Sequence, residues 1–226
     1  MSPVKSNKAK VAVIGLGSIG RIVAANLIKG NRPVIVADRN IEKANEFAQK
    51  AGTLAQAMTI PAAIKEADIV VLAVWFDAIK ELFTQYATEL QGKIIVDPSN
   101  PIAPDEKGGF KKTIGEKESA GEINASLLPK NAKLAKALGT LNAASLSGAA
   151  FQTPIPAVLF YATDDSSINS TVEELVRDNG FEPVRIGHID QSIRIEVFGD
   201  LHELGALGKV VTAAEAKSKV YVTDTL

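Results

Sequence analysis

Short unbroken apolar runs, separated by amphipathic stretches, set the pattern of this chain. Val11 to Ile14, Val34 to Ala37, Ile69 to Val74 and Lys93 to Asp97 have the length of strands and little polar alternation, as expected of strands covered on both faces. Between the first two, Ile19, Ile22, Val23, Asn26 and Leu27 step along a helix over about 18–29 that Gly30-Asn31 ends. Ile41, Ala44, Phe47 and Ala48 share one side of a second helix over about 41–51, stopped by Gly52. Leu54-Ala55 gives a short third strand, Thr59 a cap for a short helix with Pro61 in its first turn, and Asp77 to Leu90 a further helix. Strand and helix thus alternate five times within the first hundred residues. That order specifies an α/β fold with a Rossmann-like, doubly wound, mostly parallel sheet and right-handed crossovers. Ligands of such sheets sit beyond the carboxyl ends of the strands, where the strand order reverses.

The second half is less regular. Residues 98–116 hold three prolines and two glycines before Phe110, which speaks against regular structure for most of the segment. A loop of this length leaving a central strand reads as functional. A helix near 118–128 (Ile123, Leu127, Leu128) precedes Pro129, Ala132 to Leu138 reads as a strand, and the Ala-, Gly- and Ser-rich stretch 139–151 as a loop or a loosely packed helix. Ala157 to Tyr161, an Asp165-Ser166 cap, a helix over about 167–178, a Gly180 stop and Glu182 to Ile186 make a last β-α-β that extends the same sheet. In the tail, Ile193, Val197, Leu201, Leu204, Leu207 and Val211 recur at spacings of three and four, predicting a helical segment over 190–219 that packs on its own domain or on a second subunit. Glu196, Asp200 and Glu203 then share one helical face and read as a solvated stripe. No linker, internal repeat or low-complexity segment divides the chain. The reading is one domain over 1–187 and a helical segment over 188–226 that completes a site or a dimer interface.

Composition narrows the possibilities by exclusion. The 226 residues are 46% apolar and 23% charged with a net charge of −1, so no electrostatic footprint points to nucleic acid or an acidic membrane surface. No apolar run reaches the ~18 residues of a membrane helix, and no secretory leader is visible. Cysteine is absent, which removes disulfides and thiolate chemistry and fits a reducing cytoplasm.

The chemistry is carried by Gly15-Leu16-Gly17-Ser18-Ile19-Gly20, a G-x-G-x-x-G between a strand and a helix. In a dinucleotide site the first glycine makes the tight turn and the second admits a pyrophosphate against the backbone. The third lets helix and strand pack closely. The helix N-terminus adds free N–H groups and partial positive charge. Asp38, at the end of the second strand, follows Gly20 at close to the ~20-residue spacing of a ribose-binding acid. Its carboxylate favours the 2′-hydroxyl of NAD(H). Arg39 and Lys43 beside it offer charge to the 2′-phosphate of NADP(H), or are plain solvated surface. The ends of strands four and five, Ala73, Val74 and Trp75, then Pro98, Ser99, Asn100 and Pro101, fall at the nicotinamide end. Asn100 is a candidate for the carboxamide or a turn residue before proline. Trp75, the one tryptophan, walls the pocket or belongs to the core. The histidines, His188 in a loop and His202 on the tail helix, read as structural or exposed, with no metal-ligand spacing between them. There is no Ser-His-Asp order, nucleophile elbow or Walker loop, so catalytic acid–base residues are left unassigned.

Six segments in fixed order resemble a known family: Val11 to Gly20, Ala37-Asp-Arg-Asn-Ile-Glu-Lys-Ala44, Ala67-Asp-Ile-Val-Val-Leu-Ala-Val74, Gly92-Lys-Ile-Ile-Val-Asp-Pro-Ser-Asn-Pro101, Lys136-Ala-Leu-Gly-Thr-Leu-Asn142 and Gly180-Phe-Glu-Pro-Val184. Together they are similar to the coenzyme F420-dependent NADP oxidoreductases, small reductases with a Rossmann domain and a C-terminal helical part. The resemblance implies NADP(H) as cofactor, hydride exchange with a deazaflavin such as F420 or another small redox acceptor, acceptor contacts at Thr140, Leu141 and Asn142, and a homodimer. The chain departs from the family pattern at Val74-Trp75-Phe76, where Val-Pro-Trp is common, at Asp38-Arg39, where Ser-Arg or Thr-Arg is common, and at Gly139. Two alternatives stand beside an NAD(P)H-dependent oxidoreductase: a reductase of small imines or acids, and a non-catalytic NAD(P) sensor.

Overall fold

The structure, a computed structural model, describes residues 8–106 and 108–220. Eight strands form one sheet in the order β10-β9-β8-β5-β4-β1-β2-β3. These are β1 Val11–Ile14, β2 Val34–Ala37, β3 Ala55–Ala57, β4 Ile69–Leu72, β5 Ile94–Asp97, β8 Lys133–Ala137, β9 Val158–Ala162 and β10 Glu182–Gly187. From β3 to β8 every pairing is parallel, with Val11 opposite both Val34 and Ile69. The order reverses between β1 and β4, which opens a crevice at their carboxyl ends. β9 runs antiparallel to β8, and β10 runs parallel to β9, so the last pair points opposite to the rest of the sheet.

The continuous apolar strands follow from burial on both faces. Val11 and Val13 join one core with α1 (Ser18–Lys29), α2 (Ile41–Ala51), α6 (Ala143–Gly148) and α7 (Asn169–Asp178). Ala12 and Ile14 join the opposite core with α3 (Ile60–Glu66), α4 (Phe76–Gln85) and α5 (Ala120–Ser126). A third cluster lies under β9 and β10, where Ile195, Leu201, Val211 and Ala216 of the tail cover Val158, Phe160 and Ile186.

The boundaries of α1, β2 and α2 fall where the periodicity puts them; other elements differ. β4 ends at Leu72 and α4 at Gln85, both earlier than the pattern suggests. Thr59 sits at the N-cap of α3, but its side chain accepts no capping hydrogen bond. The segment read as lacking regular structure contains an antiparallel hairpin, β6 Ile102–Pro104 with β7 Phe110–Lys112. Its prolines stand before and at the end of a short strand, where no ladder donor is needed. The tail is not one helix over 190–219. A 3-10 turn at Ile189–Ile195 gives way to irregular turns, and only Ala213–Val220 (α8) is α-helical. The cause is local folding back: Leu201 N–H donates to Arg194 O at 2.8 Å, and Gly199 lies so close that a Cβ there would stand 2.3 Å from Ile193 O. The stripe is accordingly split, with Val197, Leu201 and Val211 buried and Leu204 exposed.

Candidate functional site

The loop from β1 to α1 lies beside the crevice. Gly15 adopts φ +93°, donates to Ala37 O at 2.8 Å, and has Ala73 O where a Cβ would come within 2.5 Å. At Gly20 a Cβ would stand 1.9 Å from Gly15 O, so α1 rests directly on the loop. These two glycines are demanded by packing and backbone conformation. Gly17 is different. Its φ of −72° suits any residue, and a Cβ placed there meets no atom within 4 Å. Neither strain nor neighbours call for glycine, and what remains is access to the backbone from outside. Gly17 is also the N-cap of α1, which has no capping side chain and no acidic residue in its first turn. Ser18 and Ile19 therefore open a helix whose first N–H groups lack intrahelical acceptors.

Asp38 braces this loop. Its Oδ2 accepts from Leu16 N–H at 2.8 Å and its Oδ1 from Asn40 N–H at 3.0 Å, with Lys43 Nζ 3.7 Å away. Partial burial pushes the carboxyl pKa up, but the N–H groups of Leu16 and Asn40 with the Lys43 charge outweigh it, so the group is held below its ordinary value. The Leu16 side chain is buried, and Arg39 is exposed at the rim. Arg21 Nε closes the loop from the helix side, donating to Leu16 O at 2.9 Å.

At the other half of the crevice, Ala73 and Val74 are half-buried against Gly15, and Trp75 follows at the N-cap of α4, 62% exposed. The core reading of Trp75 fails, because β4 ends before it and the described residues leave most of it exposed. Pro98, Ser99 and Pro101 are buried at the end of β5. Asn100 spends its amide on backbone, donating from Nδ2 to Gly139 O at 3.0 Å and accepting from Val197 N–H on Oδ1 at 2.7 Å. Its observed role is to tie the ends of β5 and β8 to the tail. Thr140 and Leu141 are buried, and Asn142 caps α6 by accepting from Ser145 N–H at 3.0 Å. Gly139 has a packing reason as well, since a Cβ would lie 2.4 Å from Pro98 O.

Several residues that hold this region together escaped the pattern. Asp97 and Lys136, opposite one another on β5 and β8, form a buried ion pair at 3.0 Å, and Asp97 also accepts from Ser99 N–H and Asn124 Nδ2. Lys136 Nζ further donates to Ser99 O. A lysine in the middle of the strand expected over Ala132 to Leu138 was the available signal. Glu196 and Glu203 are not a solvated stripe. Glu196 is buried and accepts from Ser119 Oγ, Ala120 N–H and Gly121 N–H at the start of α5, at 2.8–2.9 Å. Glu203 accepts from Asn142 N–H at 2.9 Å and from Ser145 Oγ at the start of α6. Each carboxylate meets a helix N-terminus, where N–H groups and dipole both favour it. Asp200 pairs with Arg194 at 2.9 Å.

His202 lies in a turn rather than a helix and is buried. Leu204 N–H donates to its Nδ1 at 2.9 Å, and its Nε2 lies 3.1 Å from Gly139 O. Burial, with Lys136 nearby, pushes its pKa down to about 4 against the opposing pull of Gly139 O and Glu203. The ring is therefore a neutral bridge between tail and β8. His188 is exposed, 3.4 Å from Asp164. Among the described residues no group of three or more His, Cys, Asp or Glu is placed to hold a metal ion, and no helix is long and apolar enough to cross a membrane.

Residues 10–101 match the model of the family NADP oxidoreductase coenzyme F420-dependent. Over 212 residues, 85% of this chain and 90% of the other, the sequence is 26% identical to an F420-dependent NADP reductase of Methanocaldococcus jannaschii. A hypothetical protein from Sinorhizobium meliloti is 29% identical and superposes with a TM-score of 0.77, covering 90% of this chain and 95% of that one. A reductive aminase from Aspergillus terreus, solved with NADPH, shares the fold at 20% identity and a TM-score of 0.59, over 82% of this chain and 57% of its own. The chain is thus similar to the F420-dependent NADP reductases along most of its length, and the family model for coenzyme F420-dependent NADP oxidoreductases matches its residues 10–101.

Proposed function

We propose that this chain is an NAD(P)H-dependent oxidoreductase that holds NADP(H) across the β1–β4 crevice and exchanges hydride with a small conjugated acceptor, a deazaflavin of the F420 type among the candidates. The observation that carries the reading is Gly17, a glycine that neither conformation nor packing requires, at the uncapped start of α1. The main-chain N–H groups of Gly17, Ser18 and Ile19 would hold the pyrophosphate. Asp38 keeps the loop in shape, and Arg39 and Lys43 face the adenosine end, where their charge favours a 2′-phosphate against the Asp38 carboxylate. Bound NAD(P)H supplies the hydride; the chain's part is to fix distance and angle at the ends of β4 and β5 and to exclude water. Ala73, Val74, Trp75 and Pro98 are the residues that reading puts beside the nicotinamide, with the acceptor toward Thr140, Leu141 and Asn142. The same reading takes the enzyme as a cytoplasmic homodimer, which light scattering at micromolar concentration tests.

The central test pairs two alanines. Gly17→Ala is expected to fold with an unchanged melting temperature while the NADPH dissociation constant rises at least about tenfold, because the new methyl occupies the phosphate approach. Gly20→Ala is expected to lose stability instead, through its overlap with Gly15 O. Unaltered NADPH affinity in a folded Gly17→Ala variant would refute the assignment.

A further inference from the structure

Phe198 stands out from the other bulky residues in left-handed backbone. Its φ is +73°, a conformation that costs an aromatic residue of this hand. Leu138 and Phe151 share that conformation, but Leu138 is buried and the Phe151 ring lies under Lys29 and against Gly180. Phe198 gains no such burial, being 50% exposed. Its backbone is nonetheless fixed from both sides. Val197 N–H donates to Asn100 Oδ1 at 2.7 Å, and Gly199 N–H to Glu196 O at 2.8 Å. Glu196 is itself anchored in the N-terminus of α5. Gly199 packs on Ile193 O and Arg194 O, and Gly205 on Gly199 O. This set of contacts holds an aromatic residue in an unfavourable conformation next to Asn100, at the carboxyl end of β5, without burying it. Trp75 is exposed at the carboxyl end of the neighbouring strand, β4.

We propose that Phe198 is a binding residue for the acceptor, a ring presented by the strained turn so that a flat, conjugated molecule stacks on it. The inference rests on the reading that hydride leaves the cofactor at the ends of β4 and β5, and it adds a residue of the tail that would favour the planar aromatic acceptors of that reading over small acids or imines. Stacking on one aromatic ring corresponds to about a tenfold gain in affinity. An exposed ring could instead serve contact with a second copy of the chain, and the experiment separates the two.

The full chain is titrated with riboflavin and with 5-deazariboflavin, following quenching of their fluorescence, with and without saturating NADP+. Phe198→Ala is expected to weaken both flavins about tenfold and leave NADP+ affinity within twofold, and Phe198→Tyr to restore binding. Phe198→Gly relieves the backbone, so it is expected to lose flavin affinity while its melting temperature stays at or above that of the wild type. A merely structural residue would lose stability there. Equal flavin affinity in Phe198→Ala, no flavin binding by the wild type in either state, or a change of oligomeric mass as the sole effect overturns the proposal. NADP+ affinity of the wild type, measured separately, reports on the cofactor reading alone.

Discussion

The buried imidazole of His202 makes a prediction whose size can be worked from its surroundings. Leu204 N–H occupies Nδ1 as a donor, so only the tautomer with the proton on Nε2 satisfies both contacts, and a second proton would set two N–H groups against each other. The folded pKa is about 4 and the unfolded reference about 6.5. Because the folded value is depressed, the contribution is complete above the unfolded pKa. As pH falls from about 6.5 toward 4, the unfolded chain takes up a proton that the native chain refuses, and stability is lost. Integrated from pH 7.5 to pH 4.5, the loss attributable to this one ring is about 2–3 kcal/mol. Urea unfolding of the wild type and of His202→Asn at half-unit pH steps isolates it. The variant starts less stable at pH 7.5 because the bridge to Gly139 is broken, but its curve should be flatter by about that amount across the window. Parallel curves would refute the argument, as would a 15N spectrum showing His202 doubly protonated at pH 5.5.

Other outcomes follow from the same contacts. Lys136→Met leaves the Asp97 carboxylate buried without its cation and should cost about 3–5 kcal/mol in urea unfolding, partly recovered when Asp97→Asn is added. Glu196→Ala strips the acceptor from Ser119 Oγ and two backbone N–H groups of α5 and should cost about 2–5 kcal/mol, with Glu196→Gln costing less because one oxygen remains. Asp38→Asn removes a negative charge from the adenosine end, worth about 1–2 kcal/mol against a 2′-phosphate, so steady-state kinetics should show preference for NADPH over NADH rising by about 5–30-fold. An unchanged or reversed preference would place the 2′-phosphate away from Asp38.

Local order in this chain was legible where side chains answer to a strand or helix period. Val11 to Ile14, Ile19 to Leu27 and Ile41 to Ala48 each report their own environment, because burial on two faces or on one stripe dictates residue type at every position. The G-x-G-x-x-G was equally visible, although the letters alone could not separate its glycines by cause. Only in three dimensions do Gly15 and Gly20 prove to be required by neighbours and Gly17 by none.

The tail resisted reading for a definite reason. Glu196 and Glu203 look solvated at helical spacing, yet each is claimed by a helix N-terminus more than fifty residues away in sequence, and no local pattern encodes such a partner. Asn100 was readable as a carboxamide partner or a turn residue, but its bonds to Gly139 and Val197 depend on how β5, β8 and the tail converge. The sequence by itself determined the alternating elements, the sheet they build and the strand-to-helix turn where a dinucleotide would rest, since these follow from periodicity and short-range sterics. Tertiary structure alone decided the reversed direction of β9 and β10, the buried Asp97–Lys136 pair and the exposed, strained Phe198 beside Asn100, because each is fixed by groups that meet only when distant segments pack.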